Sequence, residues 1–177
     1  GLNVSGSGAI RVKQGAAFKV EVKVEENLLP YLMTEVEADG DLHIYFSKNV
    51  RDVDGLVINV TMPVLKSVNL SGSAELTTEG VFESTSLDLT VSGSGEIRMD
   101  FIDYDDIKVQ LSGSGYIGLE GTAGELKARI SGSGDIVAIE CPVRDADIHV
   151  SGSGSAKVDV SQKLTAHISG SGDVYYQ

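Results

Sequence analysis

Carboxylate side chains recur at a regular interval along the second part of this sequence. Carboxylates stacked at short spacing repel one another, which raises their pKa values or favours binding of a hard cation such as calcium. The interval matches neither an EF-hand loop nor the nine-residue calcium β-roll, so solvated turn residues are the alternative interpretation. The calcium candidates come eight residues after the first serine of a Ser-Gly-Ser block and are Glu79, Asp100, Glu120 and Asp159.

A second acidic column comes four residues after the same serines, with Tyr116 in it. Carboxylates beside an aromatic ring could hold a sugar or cleave it, since glycosidases need paired carboxylates about 5 to 10 Å apart. Any solenoid with polar outer faces offers such pairs by chance, and the repeats carry no insertion that would form a cleft. We therefore expect Glu96, Tyr116 and Asp135 to form a ligand face, and we predict no catalytic residue and no cofactor.

Two histidines and one glycine motif need a structural context to have a function. His149 and His167 each come two residues before a repeat serine, so they should lie side by side on an outer face. A shared metal would need a third ligand, and Arg129 occupies the same repeat position and opposes a cation. The stretch 113–118 spells GxGxxG, but a dinucleotide site requires a helix after it, whereas the repeat predicts a strand.

These positions recur because the chain repeats itself about every 20 residues, which indicates a solenoid. Apolar residues stand one and three positions before each first serine and five and seven positions after it. Such spacing predicts two strands per unit, each with one inward face. The clearest copies are VSGSGEIRMD, LSGSGYIGLE, ISGSGDIVAI and VSGSGSAKVD, which begin at residues 91, 111, 130 and 150; looser copies have their first serine at Ser5, Ser71 and Ser169.

The predicted fold is all-β: a right-handed parallel β-helix, flattened, with two sheets and about 20 residues per coil. Residues 71–177 form its regular part, and residues 1–70 form an irregular, partly antiparallel region that caps the stack as part of one continuous domain. In that region, residues 27–33 predict a short helical turn and Asp39-Gly40 predicts a hairpin. Alternation over residues 18–25 predicts a strand with Phe18, Val20, Val22 and Val24 inward.

Composition argues against several functions. Twenty-six acidic and 14 basic side chains give a net charge of −12, which opposes binding of nucleic acid or anionic lipid. The single cysteine allows no internal disulfide, and no apolar run is long enough for a transmembrane segment. Residues 2–4 read as the end of a strand, so we expect that the native protein extends upstream and that an export signal has been removed.

The glycine blocks, the stretch ENLLPY at residues 26–31, TEV at 34–36 and PVLKSV at 63–68 resemble one known family. It is the putative auto-transporter adhesin, head GIN domain family, found in the envelopes of Bacteroides-like bacteria. The resemblance covers nearly the whole chain. It implies a β-helix related in shape to pectin lyases, without a recognised catalytic set, in an exported protein of the cell envelope or cell surface with an adhesive role.

We therefore expect a non-enzymatic surface module that binds protein or glycan. Two alternatives stay open: a carbohydrate-active enzyme of pectin-lyase type, and a structural element that assembles through its ends. The last coil, at residues 173–176, should leave backbone donors and acceptors unpaired, so we also expect homo-oligomers through the C-terminal coil.

Overall fold

The computed structural model describes residues 1–38, 40–48, 50 and 55–177. Strands make up 75% of the structure and wind into a β-solenoid of about six coils with about 20 residues each. The described residues contain no α-helix. The predicted all-β solenoid and its partly antiparallel N-terminal region are confirmed.

Fourteen strands in the described part of the chain build the solenoid, and the strands of successive coils pair in parallel. The strands that follow the repeats are β1 (Leu2–Gly6), β2 (Ala9–Gln14), β7 (Ser67–Gly72), β8 (Glu75–Glu79), β9 (Phe82–Gly93), β10 (Glu96–Gly113), β11 (Tyr116–Gly132), β12 (Asp135–Gly152), β13 (Ser155–Gly170) and β14 (Asp173–Tyr176). The remaining strands are β3 (Lys19–Lys23), β4 (Leu32–Val36), β5 (Leu42–Phe46) and β6 (Val57–Met62).

The apolar columns of the repeat form the core. Ile97, Ile117 and Ile136 are in register on β10, β11 and β12, and each is fully buried. Every second side chain points inward because successive residues of a strand face opposite sides. The outward positions between them carry the polar residues of the repeat, so the side chains that can contact a ligand lie on the outer faces.

Glycines turn the chain at one corner of each coil. Gly113 has a φ of 114°, and a Cβ there would collide with the carbonyl oxygen of Gly93 on the coil before it. Only glycine combines this backbone angle with so close an approach. The corner is closed by a backbone hydrogen bond in which Ser114 N–H donates to Gly93 O at 2.9 Å.

Within a coil, a short strand segment connects the two longer strand segments. In β10 the alternation is interrupted at residues 100–101 and 105–106, and between them Ile102 and Tyr104 are buried. The Tyr104 hydroxyl donates a hydrogen bond of 2.6 Å to Leu65 O, and burial raises the pKa of this phenol. Asp103, Asp105 and Asp106 therefore lie outward on a strand, although aspartates so close together in sequence are typical of a turn.

The first repeat copy sits inside the stack and not at its end. Ser5 on β1 pairs with Ser71 on β7, so the copies are adjacent although 66 residues separate them in sequence. On their other side, β1 pairs with β5 and β2 pairs with β6, also in parallel. Strands β5 and β6 therefore form the outer coil, with β4 and β3 added antiparallel at its edge.

One local expectation for this region is corrected, and another is confirmed over a shorter range. Phe18 and Val20 are 78% and 39% exposed, whereas Val22 and Val24 pack partly against the core. The reason is position: β3 is an added strand that pairs with β6, and among the described strands none pairs with its other edge. The helical turn expected at residues 27–33 is a 3-10 turn of three residues, Leu29–Tyr31.

The hairpin expected at Asp39-Gly40 has its flanking strands in place. Strands β4 and β5 pair antiparallel, and Glu37 N–H donates to Asp41 O at 3.0 Å. Gly40 has a φ of 86°, as a tight turn requires. Asp39 itself lies outside the described residues.

Candidate functional site

Glu96, Tyr116 and Asp135 occupy the same position on three consecutive coils. Glu96 pairs with Tyr116 and Tyr116 with Asp135 along β10, β11 and β12. Neighbouring strands lie about 4.8 Å apart, so the three side chains form a continuous outward row. Tyr116 is half-buried and Asp135 is exposed. We call this row, together with Arg98, the tyrosine face.

Arg98 joins the tyrosine face through two contacts that the sequence analysis missed. Its guanidinium carbon lies 4.8 Å from the centroid of the Tyr116 ring, and its Nε donates a hydrogen bond to Glu96. That bond is the main cause of a raised pKa for Arg98. The sequence signal for this contact was the spacing of Glu96 and Arg98, because residues two apart on one strand point to the same face.

The ring of Tyr116 lies over Gly118. A Cβ on Gly118 would stand 3.0 Å from Cε1 of the ring, so a larger residue there would push the ring away. Beside the ring is a shallow cavity of about 230 Å³ whose lining includes Asp100, Glu120 and Glu140. An aromatic ring with carboxylates around it can stack on the apolar side of a sugar ring while the oxygens accept hydrogen bonds from its hydroxyls.

The carboxylates of the tyrosine face already have partners. Asp135 Oδ1 accepts a hydrogen bond of 2.6 Å from the Ser155 hydroxyl on the next coil, and Glu96 holds Arg98. Carboxylates fixed in this way on an open surface suit recognition of hydroxyl groups better than proton transfer.

The four calcium candidates do not all meet at one site. Glu79 forms an ion pair of 2.6 Å with Lys13, while Asp100 and Glu120 line the cavity beside Tyr116 and Asp159 lies on β13. Within residues 1–38, 40–48, 50 and 55–177, no three His, Cys, Asp or Glu side chains are grouped so that they could hold a metal ion.

A second outer surface lies on the strands that precede the glycine corner. Gln110, Arg129, His149 and His167 are in register on β10, β11, β12 and β13. The two imidazole rings stack with centroids 4.7 Å apart, as the sequence predicted, and the neighbour on the third strand is Arg129 and not a metal ligand. These side chains and the serines beside them line a groove of about 490 Å³, which we call the histidine groove.

A third surface is an apolar cavity of about 600 Å³ in the N-terminal region of residues 1–66, which we call the cap. Phe18, Val20, Val36 and Val64 line it and are 39 to 78% exposed. Its lining also includes Lys19 and Lys66, which are the charged side chains among the described lining residues. Sequence reasoning missed this cavity because it placed Phe18 and Val20 in the core.

Two motifs have no site around them. Cys141 is buried in the core, and burial raises the pKa of its thiol to about 11, so it remains an unreactive thiol at neutral pH. The GxGxxG stretch runs through the glycine corner into strand β11 and is not followed by a helix. It is therefore part of the repeat and not a dinucleotide site.

Comparison with known proteins now gives the chain a family. The model of the family described as "Putative auto-transporter adhesin, head GIN domain" matches residues 1–177. The chain belongs to this family. No curated protein matches it significantly.

Solved structures share the fold at low sequence identity. A putative adhesin from Bacteroides fragilis has a TM-score of 0.82 and 22% identity, covering 99% of this chain and 91% of its own. A protein named putative lipid binding protein from Parabacteroides distasonis has a TM-score of 0.71 and 22% identity, with the same coverage of 99% and 91%. A putative adhesin from Parabacteroides merdae has a TM-score of 0.70 and 19% identity, covering 99% and 90%.

Membership of the head GIN domain family supports the adhesin-like reading of the sequence and a place at the cell surface or envelope. Among the described residues, no helix is long and apolar enough to cross a membrane. Each of the three outer surfaces described above is a candidate ligand site in this family member.

Proposed function

We propose that this protein is a non-enzymatic binding module of the bacterial cell surface, and that the tyrosine face binds a glycan. The observation that carries the proposal is the register of Glu96, Tyr116 and Asp135 on consecutive coils. Consecutive coils present polar or aromatic side chains at the same repeat position. Weak contacts along such a row add up when the ligand is itself repetitive. Linear polysaccharides have that property.

The chemistry of the tyrosine face favours a neutral glycan. Its carboxylates are hydrogen-bond acceptors for sugar hydroxyls, and the Tyr116 ring offers a flat apolar surface. Glu75 and Asp173 extend the acidic column on either side, and the whole chain has a net charge of −12. An anionic ligand would be repelled from this face. A protein receptor at the cell surface is the alternative ligand class.

A pectin-lyase-type enzyme is the alternative that we do not favour. Catalysis needs several dissimilar groups held around one reacting bond with water excluded, whereas the tyrosine face repeats similar groups on an open surface. We expect no product release from neutral or uronic-acid polysaccharides. Product release abolished by Glu96→Gln or Asp135→Asn would show an enzyme instead.

The test is binding of purified protein to a glycan array, followed by titration calorimetry with the best neutral glycan. The triple variant Glu96→Gln, Tyr116→Ala, Asp135→Asn should weaken binding about tenfold or more, because it removes the ring and two charged acceptors. Tyr45→Ala in the cap is the matched loss of an aromatic ring outside the tyrosine face and should leave the affinity unchanged. Unchanged binding in the triple variant would exclude this face.

A second candidate function, binding of an apolar chain, is favoured by the cap cavity. Its volume of about 600 Å³ lies in the range of small-molecule sites. Phe18 and Val20 are exposed, and among the described strands none pairs with the outer edge of β3 beside them. Lys19 and Lys66 at the lining complement an anionic head group. One solved relative is itself named a putative lipid binding protein. We therefore propose a single-chain amphiphile with an acidic head as the ligand of this cavity.

A fluorescent fatty acid tests the cap cavity directly. Val20→Glu places a carboxylate in the lining and should reduce binding about tenfold, since it adds an unpaired charge beside the apolar chain. Val81→Glu, which changes another exposed valine, is the control. Equal affinity in the protein and in Val20→Glu would exclude the cavity as the site.

We also propose that copies of the protein associate through the C-terminal coil. Ile168 is 49% exposed and Tyr176 is 70% exposed there, although the corresponding apolar positions of earlier coils are buried. Strand β14 pairs with residues 155–158 of β13, and among the described strands none pairs with the outer side of residues 161–170. An open strand edge beside exposed apolar side chains is a surface for pairing with another chain.

A further inference from the structure

The histidine groove is built from the same three positions of four consecutive coils. Residues 110–112, 129–131, 149–151 and 167–169 line it, and together they enclose about 490 Å³ along the outer surface. The outward side chains in it form two parallel rows. One row consists of Gln110, Arg129, His149 and His167, and the other consists of Ser112, Ser131, Ser151 and Ser169.

The lining of this groove differs in charge from the rest of the surface. None of its lining residues, all of which lie in the described part of the chain, is Asp or Glu, although the chain has 26 acidic residues. The amide, guanidinium, imidazole and hydroxyl groups can all donate hydrogen bonds. A groove rich in donors fits a ligand rich in acceptors, which is the reverse of the tyrosine face.

The histidine rings can meet a ligand by their edges. The rings stack with centroids 4.7 Å apart and planes inclined by 28°, so their facing sides cover one another. His149 Nε2 already lies 3.2 Å from a carboxylate oxygen of Asp147. A smaller cavity of about 120 Å³ beside the rings continues the groove, and its lining includes Lys108, Lys127 and Asp147.

We propose that the histidine groove binds a linear polysaccharide that carries carboxylate or sulfate groups. Arg129 would hold one acid group through its fork of N–H donors, and His149 and His167 would hold acid groups or ring oxygens of the following sugar units. The serine row would donate to the hydroxyls of the same units. The ligand lies across the coils, so that successive sugars meet successive copies of the same position.

The charged side chains around His149 favour an acidic ligand. Arg129 on β11 stands beside it in the row, and Lys108 and Lys127 line the adjoining cavity. Asp147 on its own strand is the acidic neighbour. The basic side chains outnumber the acidic one here, so an anion along the row is attracted.

The experiment is titration calorimetry with polygalacturonate oligomers at neutral pH, with a neutral glucan of equal length as the reference. We expect the affinity for the acidic oligomer to be about tenfold higher than the affinity for the glucan. Arg129→Gln with His149→Gln and His167→Gln should reduce the affinity for the acidic oligomer about tenfold or more. Lys157→Gln, which removes a cation outside the groove, should leave it unchanged.

Each contrary result would overturn a definite part of the proposal. Absence of binding to the acidic oligomer, or an equal loss of affinity with Lys157→Gln, would exclude the groove as the site. Equal affinity for a single-stranded oligonucleotide would show attraction to any polyanion in place of polysaccharide recognition. The tyrosine-face triple variant should still bind the acidic oligomer, so failure of that site and failure of this one are distinguishable. Thermal melts of all variants check that the fold is intact.

Discussion

His149 and His167 stand side by side on strands β12 and β13, with ring centroids 4.7 Å apart. This distance is close to the spacing of neighbouring strands, about 4.8 Å, so the stacking follows directly from the parallel register of the repeat. The same register places Arg129 beside His149. A solenoid thus fixes where outward side chains stand, and the residue chosen at each coil decides what the column can bind.

The buried column should be far more sensitive to charge than exposed apolar positions. Ile117→Asp places an unpaired carboxylate at a fully buried site between Ile97 and Ile136, which should lower the free energy of unfolding by several kcal/mol. Val81→Asp makes a comparable change at a side chain that is 57% exposed and should cost less than about 1 kcal/mol. Urea denaturation followed by circular dichroism measures both, and equal losses would contradict the assigned core.

The corner glycines offer a comparison between backbone strain alone and strain with a collision. Gly6 and Gly113 have φ values of 125° and 114°, but a Cβ on Gly6 meets nothing within 4 Å, whereas one on Gly113 strikes the carbonyl of Gly93. Gly6→Ala should therefore cost about 1 to 3 kcal/mol for strain, and Gly113→Ala should cost clearly more. If the two variants lose equal stability in urea denaturation, close stacking of the corners is not the reason that position 113 requires glycine.

The repeat made most of the solenoid predictable. Aligning the copies on their first serine identified inward positions such as Leu76, Ile97 and Ile117, all of which are buried. The register follows from the same alignment, because identical positions on identical units must stack. Placement of Glu96, Tyr116 and Asp135 in one outward row was therefore available from spacing alone.

The cap was not predictable in the same way, because its neighbours are distant in sequence. Alternation correctly marked residues 19–23 as strand, but it could not tell that this strand is added at an edge, where Phe18 and Val20 meet solvent. Nor could spacing reveal that β1 is inserted between β5 and β7. Tyr104 was missed because its flanking aspartates resembled a turn, although Ile102 and Tyr104 alternate with them as a strand requires.

Cys141 should resist thiol reagents in the folded protein. It is 1% exposed, and burial raises the pKa of its thiol from 9.0 to about 11, so the reactive thiolate is scarce at neutral pH. Reaction with a chromogenic disulfide reagent at about pH 8 should be slow without denaturant and rapid in guanidinium chloride. Rapid reaction of the folded protein would show that the coil containing β12 opens readily.

Tyr104 should make the stability fall in alkaline solution. Burial raises the pKa of its phenol above the ordinary 10.0, so above pH 10 the unfolded chain ionises while the folded chain keeps the neutral phenol. This contribution to stability is complete below pH 10 and is lost as the pH rises above it. Tyr104→Phe should weaken that dependence, yet cost about 1 to 3 kcal/mol at neutral pH because Leu65 O loses its donor.

Urea denaturation at neutral pH and above pH 10 separates these two effects of Tyr104→Phe. Tyr176→Phe is the control, since this side chain is 70% exposed and should change neither value. An identical alkaline loss of stability in the protein and in Tyr104→Phe would contradict the role given to burial of the phenol.

Self-association should depend on the C-terminal coil and on protein concentration. Ile168, 49% exposed beside the outer edge of β13, would be covered when a second copy adds a strand there, so Ile168→Lys should weaken association about tenfold or more by placing a charge in the contact. Val81→Lys changes an equally exposed apolar residue between β8 and β9 and should leave association unchanged. Light scattering over a range of concentrations measures the molecular mass of each variant. A mass that stays at one chain, 18.6 kDa, at the highest concentration of the unchanged protein would contradict the proposed contact, because an exposed strand edge with apolar neighbours should then have found its partner.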